Sequence, residues 1–238
     1  HEAGASTLKI AEHLGQFAYT TTPSTACSSA LNSIMIGANM LRSKKVSKAL
    51  VGGTECLSKF HLNGFNTLMI LDHQPCRPFD ATRSGLNLGE GAAYLVIEAE
   101  DDALKRGATI LGYIAGYGNA CDAFHQTASS ENGEGAVLSM GKALQMANID
   151  PSQVDYLNAH GTGTPNNDAS ESAAIYRVFG EKIPMISSTK SFTGHTTSAS
   201  GSIETAICLL CMQNNFVPAN LNWENAGEKL IRPLQHNQ

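Results

Sequence analysis

The chain has 238 residues, 42% of them hydrophobic and 16% charged, with a formal net charge of -5. That composition suits a globular chain long enough to bury a core, and its acidic balance argues against a general nucleic-acid binder. No apolar stretch approaches the roughly 20 residues that span a bilayer, and no signal peptide is visible.

Along the chain, the first pattern is STACSSAL (24–31), where Cys27 heads an apolar run. Leu31, Ile34, Met35, Ala38 and Leu41 then recur at helical spacing. Taken alone, a cysteine there is most simply a small buried hydrophobe. The basic run RSKKVSK (42–48) reads as a solvated helix end, and it is the one visible stretch suited to an acidic partner. A strand is expected at 49–53, a Gly- and Pro-containing loop region over 72–91, and a strand at 92–98. A helix at 101–107 closes on Gly107 as its C-cap.

A strand over 109–118, a helix over 135–147 and a strand over 154–159 come next. The helix at 168–180 opens with Asp168 and Glu171 at capping-box spacing and ends at Gly180. A strand at 185–189 and a helix at 199–214 complete the series. Strands alternating with helices predict an α/β fold with a largely buried sheet. A boundary near 100–108 divides the chain into 1–107 and 108–238.

The six cysteines are scattered, in a chain that does not need disulfides for stability, so reduced thiols in a cytoplasmic protein are expected. Cys208 and Cys211 form a C-x-x-C deep in an apolar helical run, and no second pair completes a zinc site; core packing is the reading.

Three stretches share one logic: a reactive residue stands among small residues where an element begins or ends. They are STACSSAL with Cys27, NAHGTGTP (158–165) with His160, and STKSFTGHTTSASG (188–201) with Lys190 and His195. In open α/β folds ligands collect at the carboxyl ends of strands, so these four residues are expected to meet in one pocket. Taken singly, a histidine is more often structural and a lysine more often solvated; spacing alone names no reaction.

TACSSAL, NAHGTGTP and KSFTGHT, in this order, resemble the three active-site motifs of the β-ketoacyl-acyl carrier protein synthases, condensing enzymes of the thiolase-like fold. RPFDATRSGLNLGEGAAYLVIE (77–98) and DAFHQTASSENGEGAVLSM (122–140) resemble their elongating synthase II branch. The resemblance implies a layered α-β-α-β-α fold of two related halves. The first (1–107) would carry the nucleophile, and the second (108–238) both histidine motifs.

It implies decarboxylative Claisen condensation of an acyl group on Cys27 with a malonyl-acyl carrier protein. His160 and His195 would donate hydrogen bonds to the enolate, and Lys190 would order them and add positive charge. Thr162 and Thr164 match threonines that bind pantetheine, Phe65 a phenylalanine lining the acyl pocket, and Glu171 a structural carboxylate behind the site. No cofactor and no metal are implied. The partners would be an acyl carrier protein and a second subunit, as homodimer or ketosynthase heterodimer, with neither nucleic acid nor membrane.

Two departures stand out. Where many relatives have a Gly-Pro turn before the cysteine, this chain reads QFAYTTTPSTAC, which leaves a specialised polyene or polyketide pathway open. The chain also opens on His1 rather than Met and stops at PLQHNQ, short of the family's closing strand and Gly-Phe-Gly-Gly loop; a piece of a longer polypeptide, incomplete in its first half, is expected. Competing readings are a non-catalytic chain-length-factor-like partner, which lacks the cysteine, and a cysteine hydrolase, which the second histidine and the lysine fit poorly. A biosynthetic thiolase needs a second catalytic cysteine that the apolar run around Cys208 and Cys211 does not offer.

Overall fold

The computed structural model describes residues 4–15, 17–125 and 128–238; His1, Gln16, Gln126 and Thr127 of the stretches quoted above lie outside it. In chain order the helices are α1 (Ala5–Leu14), α2 (Ser29–Arg42), α3 (Lys59–Thr67), α4 (Glu100–Lys105), α5 (Glu134–Ala147), α6 (Pro165–Phe179), α7 (Lys190–Thr193) and α8 (Ser200–Asn214). The strands are β1 (Lys48–Glu55), β2 (Gly91–Glu98), β3 (Tyr156–Asn158) and β4 (Met185–Ser187). The chain forms two compact units: His1–Cys56 with Glu90–Ile110 and Thr196–Ala206, and Leu57–Gly89 with Leu111–His195 and Ile207–Gln238. Among the described residues no helix is long and apolar enough to cross a membrane.

In the first unit, β1 and β2 pair antiparallel from Lys48↔Glu98 to Glu55↔Gly91. Helix α2 packs on this ladder through Ala30, Ile34, Gly37 and Ala38, one face at helical spacing. The approach is close: a Cβ at Gly37 would stand 2.5 Å from Val51 Cγ1. The small residues therefore define the buried stripe, and Leu31, read as part of it from the sequence, is 46% exposed. At the end of β1, Glu55 accepts from Ser198 Oγ (2.7 Å) and from Thr197 Oγ1, which fixes the turn into α8.

The second unit holds a βαβ arrangement, with β3 and β4 parallel and α6 between them in sequence. Its core is Phe79, Ala159, Ile175, Phe179, Ile186 and Ile231. Among the described residues no disulfide joins the cysteines, and Cys211 is buried in α8.

Two expectations fail here. Residues 109–118 form no strand among the described residues, because no ladder partner flanks them. Their glycines lie flush on α5 instead: a Cβ would come 2.2 Å from Ala143 O at Gly116 and 2.0 Å from Ser139 O at Gly118. The Asp168–Glu171 capping box is also absent. Helix α6 starts three residues earlier, with Thr164 as N-cap and Pro165 in the first turn. Both carboxylates are thereby released to bind loops.

Asp80, 1% exposed, ties the 77–83 loop to the 224–226 segment. It accepts from Thr82 N (2.8 Å), Thr82 Oγ1 (2.7 Å), Glu224 N (2.7 Å) and Asn225 N (2.7 Å). Burial would raise its pKa, but these donors together outweigh burial and hold it at about 2. The folded value lies below the unfolded 3.8, so this stabilisation is complete above 3.8 and is lost as pH falls toward 2. Asp80→Asn turns an amide NH2 toward N–H donors and should destabilise the fold by about 2–4 kcal/mol. Urea denaturation at stepped pH checks this: below pH 3.8 the wild type should lose stability more steeply than the variant.

Candidate active site

Cys27 lies in the first unit, half-buried, one residue before the N-cap of α2. It is therefore ahead of the helix rather than in it. The turn that presents it is strained: Ala26 has φ 52, a left-handed conformation that costs a non-glycine residue about 1 kcal/mol or more. Hydrogen bonds hold that turn. Thr25 N donates to Ser29 Oγ (2.9 Å), Ser29 Oγ to Ala26 O (2.7 Å) and Asn32 Nδ2 to Thr25 Oγ1 (2.7 Å). The N-terminus of α2, the positive end of the helix dipole, follows Cys27 directly in the chain.

The second unit gathers His160, Thr162, Thr164, Glu171, Lys190 and His195. His160 follows β3, and its imidazole meets that of His195 edge to face, with centroids 5.1 Å apart and planes at 87°. A ring nitrogen of each lies within 4.8 Å of the other's. Glu171, nearly two turns into α6, accepts from His160 N (2.7 Å) and Gly161 N (2.8 Å). Gly161 has φ 38, and a Cβ on it would fall 2.5 Å from Ser188 Cβ, so only glycine fits this bend. His195 is clamped through its backbone: its N donates to Asn87 O (2.7 Å) and its O accepts from Gly89 N (3.0 Å). Both rings are thus placed by main-chain anchors that do not use the imidazoles.

Lys190 opens α7 at 1% exposure, behind a buried run of Ser187, Ser188 and Thr189. Burial, then the Lys190 charge, then His195 push the His160 pKa well below 6.5, so His160 is neutral at physiological pH and can donate one N–H. Burial pushes Glu171 up to about 7, against the Gly161 and His160 amides and the Lys190 charge, which favour its ionised form. Thr162 is buried, and its hydroxyl lies 3.0 Å from that of the half-buried Thr164. Phe65 is half-buried on α3. Beside α3 lies an open cavity of about 440 Å³ whose lining includes Leu62, Asn66 and Met69.

Sequence reasoning missed two supports of this cluster. Ser188 Oγ donates to Gly161 O (2.8 Å), while Ser188 N donates to Asn220 Oδ1 (3.0 Å). Asp168, buried at 0%, accepts from Phe79 N (2.8 Å) and Gly163 N (3.2 Å). Asp168 had a visible signal, an acid three residues before another, which admits either a cap or a loop anchor; Ser188 had none.

Known proteins fit this geometry. The family profile for the beta-ketoacyl synthase N-terminal domain matches residues 5–103, and that for the beta-ketoacyl synthase C-terminal domain matches 111–224. A 3-oxoacyl-[acyl-carrier-protein] synthase 2 of Coxiella burnetii is 39% identical over 213 residues, 86% of this chain and 51% of that protein. Among solved structures, the ishigamide ketosynthase/chain length factor superposes with TM-score 0.94 at 34% identity, covering 100% of this chain and 59% of that one. AntDE:AntF, a type II PKS acyl-carrier protein in complex with its ketosynthase, gives 0.93 at 28%, covering 98% and 60%. The fold is thus of the thiolase-like α/β class. Within it, the chain belongs to the β-ketoacyl synthase family. It spans about half the length of the curated relatives it matches.

Proposed function

We propose that the intact protein elongates an acyl chain by decarboxylative Claisen condensation. The observation that carries this reading is the edge-to-face pair of His160 and His195 beside the buried Lys190. Loss of carbon dioxide from a malonyl thioester leaves an enolate whose oxygen needs donors already in place. Two imidazoles fixed by their backbones, with a buried cation behind them, meet that need. Cys27 accepts the acyl group as a thioester, and one thioester replaces another at little cost in free energy. The enolate carbon then attacks the acyl carbonyl, the C–C bond forms, and the Cys27 thiolate leaves.

Thr162 and Thr164 bind the pantetheine arm in this reading, Phe65 lines the acyl chain, and Glu171 holds the His160 loop. The halves meet near residue 107, which the ends of the two family matches at 103 and 111 support. The partners are an acyl carrier protein and a second subunit of the same or a related ketosynthase, as the names of the relatives suggest. The enzyme works in the cytoplasm, where thiols stay reduced. The two structural neighbours described above favour a specialised polyketide pathway, and the curated relative a fatty-acid pathway. The non-catalytic reading is disfavoured by Cys27 standing with both histidines in one chain.

Acyl loading tests the proposal. The purified intact protein is offered a panel of acyl-carrier thioesters and its mass is read. Gain of one acyl group is expected; no gain with any donor sinks the reading.

Carrier docking gives a further expected result. Lys44 and Lys45, just beyond α2, are exposed. Reversing both to Glu should weaken carrier binding about tenfold at low salt, with the difference shrinking as salt rises. Unchanged affinity by titration calorimetry rules this patch out.

A further inference from the structure

We propose that Arg83 is a positioning residue for the condensation: its guanidinium joins the 77–83 loop to the start of α6 and so fixes the loop carrying His160, Thr162 and Thr164. The inference rests on the condensation reading above.

Three contacts carry it. Arg83 Nη1 donates to Asp80 O (3.0 Å), Nη2 donates to Pro165 O (3.0 Å), and Nε stands 3.5 Å from Asp168 Oδ2. The Arg83 side chain is only 10% exposed and that of Asp168 is 0%. Nε makes no hydrogen bond, so its link to Asp168 is charge compensation alone. The carboxylate is left to accept from Phe79 N and Gly163 N.

The loop from His160 to Thr164 contains two positive-φ glycines, Gly161 (φ 38) and Gly163 (φ 81), so its own backbone resists displacement weakly. Glu171 clamps its first end. Asp168 and Arg83 clamp the second, through Gly163 N and Pro165 O. Without Arg83, a fully buried carboxylate loses its cation. Burial already raises the pKa of Asp168, and loss of Arg83 would raise it further, toward a protonated form that accepts poorly. The loop end would then shift, and a misplacement of about 1 Å at a reacting centre can cost roughly a hundredfold in rate.

Arg83→Gln and Arg83→Lys in the intact protein test this, with two rates measured side by side. One is acyl transfer to Cys27 from a simple acyl thioester without a pantetheine arm, which needs neither Thr162 nor Thr164 nor the histidines; the other is carbon dioxide release from a malonyl thioester on its pantetheine arm, which needs the loop. Arg83→Gln should lower carbon dioxide release about a hundredfold while acyl transfer stays within about threefold. Arg83→Lys keeps the charge but cannot reach three acceptors, so it should recover part of the loss. Acyl transfer also reports that each variant is folded. Both rates falling together in both variants would make Arg83 merely structural and overturn the proposal, as would no change in either. A wild-type protein that loads acyl groups but never decarboxylates overturns the functional reading itself.

Discussion

Replacing Cys27 with alanine should abolish covalent acyl loading of the intact protein. An unperturbed thiol has a pKa of roughly 8.5, so it reacts well only where its surroundings favour thiolate. Cys27 stands on a turn held by Thr25, Ser29 and Asn32, just ahead of the N-terminus of α2, the end of a helix at which a negative charge is stabilised. Cys56 is more exposed and lies one residue further from its helix, two before the N-cap of α3; Cys121 is exposed and stands at no helix N-terminus; Cys76 is buried with its thiol pushed up to about 12. Peptide mapping of the loaded wild type should therefore place the acyl group on Cys27 alone. The alanine variant should keep its fold, because the turn's bonds come from neighbouring residues. An adduct of undiminished yield on Cys27→Ala contradicts the assignment.

His160→Ala and His195→Ala should each lower decarboxylation by about a hundred- to a thousandfold, the usual effect of losing one donor to a developing oxyanion. Acylation of Cys27 should survive in both. The backbone anchors make the test clean: Glu171 holds His160 N and Gly161 N, while Asn87 and Gly89 hold His195, so the loops should stay in place when a ring is removed. The expected pH dependence follows from the sign of the shift. His160 stays neutral well below 6.5, so its charge should not change, and the decarboxylation rate should show no break from this ring, as pH falls through 6.5. The unfolded chain, in contrast, protonates this histidine near 6.5, so His160 contributes stability that is present above that value and declines below it. Radiolabelled carbon dioxide release checks the rates; undiminished release in both variants removes the histidines from the mechanism.

The residues of the candidate site stood out in the sequence because they lie in local patterns. Cys27 before an apolar run, and His160 and Lys190–His195 among small residues after short strands, are read from consecutive residues. Helices α5, α6 and α8 fall close to where the sequence reading placed them, and Gly180 closes α6 as its position suggested. What stayed hidden depends on neighbours distant in sequence. Asp168 looks like a cap until its partners Phe79 and Gly163 are known. Residues 109–118 read as a strand from their apolar content, yet a strand is defined by its ladder, and their glycines serve contact with α5. The stripe of α2 was misread at Leu31 because the close approach to β1 selects Ala30 and Gly37, residues too small to register as hydrophobic signals. Helices α1 and α3 bury no residue, and the sequence reading placed neither of them.

The most direct test of the account is stoichiometric. Intact protein carrying one acyl group on Cys27 is mixed with a malonyl-acyl carrier thioester, and the released carbon dioxide, the carrier-bound product and the remaining acyl-enzyme are measured together. Condensation predicts one carbon dioxide and one β-ketoacyl thioester, longer by two carbons, for each acyl group that leaves Cys27. Release of the acyl group as free acid, with no carbon dioxide and no lengthened product, would contradict it and point to a hydrolase.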